Sequence, residues 1–186
     1  MIINEEGWLV NTHHVFSPNY EARKESEISL IVLHNISLPP FEYGQWAIDD
    51  LFTNQVKVDL DPFFCVIEKA RVSSHLLLNR QGQWTQYVSF LDMAYHAGVS
   101  SFQGRSACNH FSIGIELEGC DFEPFTLAQY QALVPMLHLL CVHYGIGAIT
   151  GHQHIAPDRK TDPGHFFDWN ILKSASLPIN FNQNND

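Results

Sequence analysis

Residues 152–164 read HQHIAPDRKTDPG and gather imidazole, carboxylate and ammonium groups within eleven positions, from His152 to Asp162. Pro157, Pro163 and Gly164 forbid a continuous helix there, so the segment is a loop that can turn His152 and Asp162 toward one point and hold Lys160 beside it. A catalytic metal site needs at least a third protein donor and a vacant position for water. His34 closes the apolar run SLIVLH, where a strand-end side chain can project into a cleft, and is the natural third donor. His154 stands two residues beyond His152, and periodicity does not choose between them. The chemistry such a set would support is metal-assisted hydrolysis.

A hydrolase of this kind also needs a base and a positive group for developing negative charge. Glu116 and Glu118 fall on the polar side of the alternating run HFSIGIELEG, and either carboxylate could rise from a sheet to take a proton from an activated water. Lys160 could offset the charge on an attacked carbonyl oxygen. The plainer alternatives are a solvated sheet face for the glutamates and exposed loop charges for Arg159 and Lys160. No GxSxG elbow, P-loop or GxGxxG is present, and no motif marks any of the four cysteines as a nucleophile.

The elements that must position these groups can be read from the pattern around them. ISLIVLHNIS (28–37) is a short β-branched run typical of a buried strand, ended by Pro39 and Pro40. QWAIDDLFTNQ (45–55) has helical spacing. RVSSHLLLNR and QWTQYVSF flank Gln81-Gly82 and read as a hairpin. In 110–119, Phe111, Ile113, Ile115 and Leu117 should face one way and Gly114, Glu116 and Glu118 the other. Thr126 and Gln129 have capping-box spacing at the head of the clearest helix. Its stripe is Leu127, Tyr130, Leu133, Val134, Leu137, Leu140, Cys141 and Tyr144; it ends at Gly145, and Pro135 predicts a kink. Strands and helices intersperse, so the expected class is α/β, a central mixed sheet covered by helices, with four or five strands.

At 186 residues, with 45% hydrophobic and 16% charged residues, the chain has the composition of one globular domain spanning 1–186, with a frayed tail from about 178. Its net charge of −10 speaks against non-specific nucleic-acid binding and against anionic membrane surfaces. The start MIINEEGWLV lacks the basic and apolar regions of a signal peptide, and no apolar run reaches membrane-spanning length. Cys65, Cys108, Cys120 and Cys141 are widely spaced and read as buried free thiols. A cytoplasmic protein is expected.

The segments IVLHNISLPP, VSSHLLLNR–GQWTQYV, YHAGVSSFQGR, CNHFSIGIELEG and ITGHQHIAPDRKTDPG–FFDW, in this order from about residue 8 to about 172, closely resemble the AmpD-type N-acetylmuramoyl-L-alanine amidases of bacterial cell-wall recycling. The resemblance implies a fold like that of the phage-lysozyme amidases and peptidoglycan recognition proteins. It implies one Zn2+ held by His34, His152 and Asp162, which decides against His154. It further implies Glu116 as the base toward water and Lys160 as the oxyanion group, with Asn35, Arg71 and Arg105 near the muropeptide. The implied reaction is hydrolysis of the amide between the lactyl group of (1,6-anhydro-)N-acetylmuramic acid and L-alanine, with an anhydromuropeptide as substrate and no protein partner. Two rival readings are a muropeptide-binding module of the same fold that does not cleave, and a zinc peptidase acting on ordinary peptides. Members of the wider superfamily that only bind typically lack a metal ligand, whereas all three positions are filled here.

Overall fold

The computed structural model describes residues 1–24, 27–44 and 46–181. Its centre is a mixed six-stranded sheet. The strands, in chain order, are β1 (His13–His14), β3 (Leu30–Ile36), β4 (Leu76–Leu78), β5 (Trp84–Gln86), β9 (Ser112–Glu118) and β10 (Ala148–Gly151). Across the sheet they run β1-β5-β4-β9-β3-β10. Only β4 and β5, the expected hairpin, are antiparallel; β4, β9, β3 and β10 all run the same way. Two small antiparallel pairs lie outside it, β2 (Tyr20–Ala22) with β6 (Asp92–Ala94), and β7 (Ser101–Phe102) with β8 (Arg105–Ser106).

The period-2 alternation of the strands divides the core into layers. Ile31 and Leu33 of β3, Leu76 and Leu78 of β4, and Ile113, Ile115 and Leu117 of β9 face one way. They pack with Leu133, Met136, Leu137 and Leu140 of the long helix α3 (Leu127–Tyr144) and with Leu172 of α5 (Trp169–Ser174). On the other face, Leu77 packs with Ala47, Ile48, Leu51 and Phe52 of α1 (Trp46–Phe52) and with Phe64 of the one-turn α2 (Phe64–Ile67). Leu30 and Val32 join Ala97, Phe102, Cys108 and Ile155 in a third cluster on that side. His34, Gly114 and Glu116 share the parity of this second face.

Helix α3 begins where the capping box places it. Thr126 Oγ1 accepts from the Gln129 backbone N–H at 3.1 Å, and the Thr126 N–H donates to Gln129 Oε1 at 2.9 Å. The fully buried Gln129 amide also donates to the Glu118 carbonyl at 2.8 Å, tying the helix start to the end of β9. Gly145, at φ 69°, closes the helix in the left-handed region that favours glycine.

Several expectations need correction. Leu127 lies in the first turn and is 70% exposed, so it leaves the apolar stripe. Helix α3 runs as one element through Pro135, which lies on its exposed side. Phe111 lies in the 3-10 turn Cys108–Phe111 ahead of β9 and packs with the opposite cluster from Ile113. Among the thiols, all free, Cys65 is exposed on α2, and Cys141 is half-buried at the edge of the core that α3 covers. The tail expected to fray from 178 is pinned in its first part: the Asn180 N–H donates to the Ile149 carbonyl, and Phe181 packs on Trp169. Residues 182–186, and Gln45 at the head of the expected helix, lie outside the described residues.

Candidate metal centre

Three neighbouring parallel strands deliver the chemistry at their carboxyl ends, where open parallel sheets leave a crevice. His34 lies two residues inside the end of β3 rather than closing it, because Asn35 and Ile36 go on pairing with β9, and it stands beside its register partner Glu116. β10 ends at Gly151, and His152 opens the one-turn helix α4 (His152–Ile155). The loop then doubles back, with the Gln153 N–H donating to the Asp162 carbonyl at 2.8 Å. This return brings the Asp162 carboxylate over the two imidazoles.

His34 Nδ1, His152 Nδ1 and Asp162 Oδ2 form a triangle with edges of 2.9, 3.0 and 3.0 Å. Around a tetrahedral ion with bonds of ~2.0–2.1 Å, neighbouring donor atoms stand ~3.3–3.4 Å apart. The triangle therefore needs to open by only a few tenths of an ångström to hold one. The donor chemistry agrees. His152 Nε2 lies 3.0 Å from the Ala97 carbonyl, which can only accept, so Nε2 is the donor there and Nδ1 is the nitrogen turned to the triangle. A ring nitrogen facing a carboxylate oxygen, with a second imidazole nitrogen against both, is an arrangement that a cation satisfies.

The same face carries the remaining groups. His34, Asn35, Glu116, His152, Lys160 and Asp162 all line one cavity of about 220 Å³. Burial, outweighing the Asp162 contact, pushes the His34 imidazole down to about 4, so it is neutral at physiological pH. Burial works to raise the Asp162 carboxyl, but its contacts with His152 and His34 prevail and hold it well below the usual carboxylate range. Glu116 is displaced the opposite way. Burial first, then the Asp162 charge, push it well above its usual value, and its Oε2 is shielded with no hydrogen-bond partner among the described residues.

His154 is turned away. Two residues on a helix are separated by about 200°. Its Nδ1 accepts from the Gly151 N–H at 3.1 Å, and its ring lies against Phe181 at 4.5 Å. Asn35 lines the cavity with its amide donating to Asp121 Oδ1 at 2.7 Å. The two arginines are not brought in. Arg71 stands next to the lining residue Val72, with its guanidinium donating to the Glu68 and Ala70 carbonyls. Arg105 stacks 4.0 Å over the Phe111 ring and donates to Ser29 Oγ. That is five residues before His34 on the β3 path, ~16 Å away along the strand.

Two groups escaped the sequence reading. Arg159 donates to the carbonyls of Ala97 and Val99 at 2.7 and 2.8 Å, tethering the segment that braces His152. His96 lies 3.0 Å from His34 Nε2, and burial pushes its imidazole well below the ordinary histidine value. The signal available for His96 was Gly114, a glycine inside a strand, which marks close approach of another group.

Residues 24–165 match the N-acetylmuramoyl-L-alanine amidase family, and the chain belongs to it. It is 52% identical over 171 residues to the 1,6-anhydro-N-acetylmuramyl-L-alanine amidase AmpD of Salmonella typhimurium strain SL1344, covering 90% of this chain and 91% of that one. A crystal structure of a selenomethionine AmpD derivative superposes with a TM-score of 0.91 at 49% identity, covering 94% of this chain and 99% of that chain. The amidase AmiD of E. coli, solved in complex with the substrate anhydro-N-acetylmuramic acid-L-Ala-D-γ-Glu-L-Lys, superposes with a TM-score of 0.60 at 27% identity, covering 95% of this chain and 66% of AmiD. The chain is thus an amidase of the hydrolase class on the expected mixed-sheet fold. Among the described residues, no helix is long and apolar enough to cross a membrane.

Proposed function

We propose that this chain is a zinc-dependent amidase of peptidoglycan recycling, cleaving the bond between the lactyl group of 1,6-anhydro-N-acetylmuramic acid and L-alanine. The observation that carries this reading is the donor triangle of His34, His152 and Asp162 opening into the same cavity as Glu116 and Lys160. Two imidazoles and one carboxylate suit zinc, which takes nitrogen and oxygen donors in a three-ligand catalytic set. When bound there, zinc lowers the pKa of water toward ~7 and polarises a carbonyl oxygen. Glu116 takes a proton from the attacking water and returns it to the departing L-alanine nitrogen as the C–N bond breaks. Lys160 stabilises the negative charge that gathers on the carbonyl oxygen. Asn35, fixed by Asp121, presents its amide to the muropeptide.

Support for the substrate comes from the AmpD relatives and from the AmiD complex, whose bound molecule carries this same sugar–alanine linkage. The free thiols fit action in the reducing cytoplasm. The test is to incubate zinc-loaded protein with anhydromuropeptide and to measure the released stem peptide. Release that stops on chelation and returns with zinc is expected; intact substrate after zinc loading would overturn the reading. Tight binding without cleavage would point instead to a recognition module.

A further inference from the structure

Behind the donor triangle lies a second row of contacts whose direction can be worked out. The Ser112 hydroxyl donates to the Cys108 carbonyl at 2.6 Å, and a carbonyl cannot donate back. Ser112 Oγ therefore accepts from its other neighbour, His96 Nε2, at 3.1 Å. With its proton on Nε2, the neutral His96 ring has a bare Nδ1. That atom lies 3.0 Å from His34 Nε2, which must supply the proton of this bond. His34 Nδ1 is then left bare, facing His152 and Asp162. We infer that His96 is a positioning residue, which accepts the His34 Nε2 proton and thereby fixes the one tautomer that offers Nδ1 to a metal.

The ring of His96 has a place built for it. A Cβ on Gly114 would stand 2.4 Å from His96 Cγ and 2.6 Å from its Nδ1, so only glycine lets the imidazole lie against β9 at this height. The backbone around His96 is also held, with Asn109 Oδ1 accepting from the His96 N–H at 3.2 Å and the Ala97 N–H at 2.7 Å. The two ligand imidazoles are thus oriented differently. His152 leans on a backbone carbonyl, whereas His34 leans on a chain of two side chains that substitution can interrupt. Contacts of this kind around a ligating histidine typically contribute 10–100-fold in metal affinity.

The inference rests on reading the triangle as a metal site, and the test separates the two. Long-range ¹H–¹⁵N spectra of the zinc-loaded wild type should show His96 neutral with its proton on Nε2. A proton on Nδ1 overturns the relay. Zinc competition against a chromophoric chelator then compares two variants. His96→Phe fills the space over Gly114 but cannot accept, and should weaken zinc binding ~10–100-fold. His96→Asn places an acceptor oxygen where Nδ1 stood, and should recover most of that loss. Phe holding zinc as tightly as wild type, or Asn no better than Phe in a folded protein, refutes the inference. A wild type that takes up no zinc refutes the metal reading itself, and the relay with it.

Discussion

Glu116 and Glu118 lie two residues apart on β9 and point from the same face, yet their surroundings make them different groups. Glu118 is 1% exposed, with its oxygens accepting from the Gly44 N–H at 2.6 Å and the Arg80 N–H at 3.0 Å. It works as a clamp, joining the segment before α1 and the β4–β5 turn to the end of the sheet. One pleat earlier, Glu116 opens onto the donor triangle, and one of its oxygens is shielded without a partner. The strand supplies identical carboxylates at both heights; what the loops bring to each decides which is tied down and which is left facing the cavity. A buried acceptor left unsatisfied costs about 1–3 kcal/mol.

Substitution can break this contrast. Glu116→Gln preserves shape but cannot carry a proton between water and the leaving nitrogen, so kcat should fall by 10²–10⁴-fold, as is typical for loss of a general base. The folded fraction and zinc content should stay at wild-type levels. A variant retaining a tenth of wild-type turnover would remove Glu116 from the reaction. Lys160→Met should cost somewhat less, ~10²–10³-fold in kcat, in the range measured for losing one oxyanion donor. Since it removes a group active chiefly in the transition state, KM should change far less than kcat; the reverse pattern would make Lys160 a substrate anchor.

Glu118→Gln sharpens the contrast from the other side. Its single remaining oxygen can serve only one of the two backbone N–H groups, and its amide presents a donor to the other. Urea unfolding should show a loss of about 1–3 kcal/mol, with kcat of the folded enzyme near wild type. A large fall in kcat at unchanged stability would put the two glutamates in each other's roles.

The reach of the sequence follows the range of the interactions involved. Helix α3 could be read to the residue at its start, because a capping box is a contact over three positions. The strand bearing His34 and the polar face bearing Glu116 followed from apolar pattern alone. The choice of His152 over His154 did not, since it depends on a one-turn helix that proline and glycine signals hide. His96 was missed because its meaning lies in partners 62 and 16 residues away, His34 and Ser112. Arg71 and Arg105, which family resemblance sets near the muropeptide, lie outside the cavity lining, Arg71 beside Val72 and Arg105 over Phe111; a motif fixes where a residue falls along the chain and leaves its contacts open.

The smallest effect is also the one with a definite sign. In metal-free protein, burial and the Asp162 charge raise the Glu116 carboxyl well above its usual value of about 4.5. A group whose pKa is raised by folding contributes stability that is fully present below its unfolded pKa and is lost as pH rises through the folded one. Glutamine cannot ionise, so Glu116→Gln escapes this loss. The stability difference, variant minus wild type, should be flat in acid, grow in favour of the variant as pH climbs past Glu116's ordinary value, and level off above its folded pKa. Urea midpoints of both metal-free proteins between about pH 4 and pH 8 would measure it. A cation in the triangle favours the ionised carboxylate, so zinc loading should shrink the difference at neutral pH. A difference independent of both pH and zinc would mean that Glu116 does not feel the site at all.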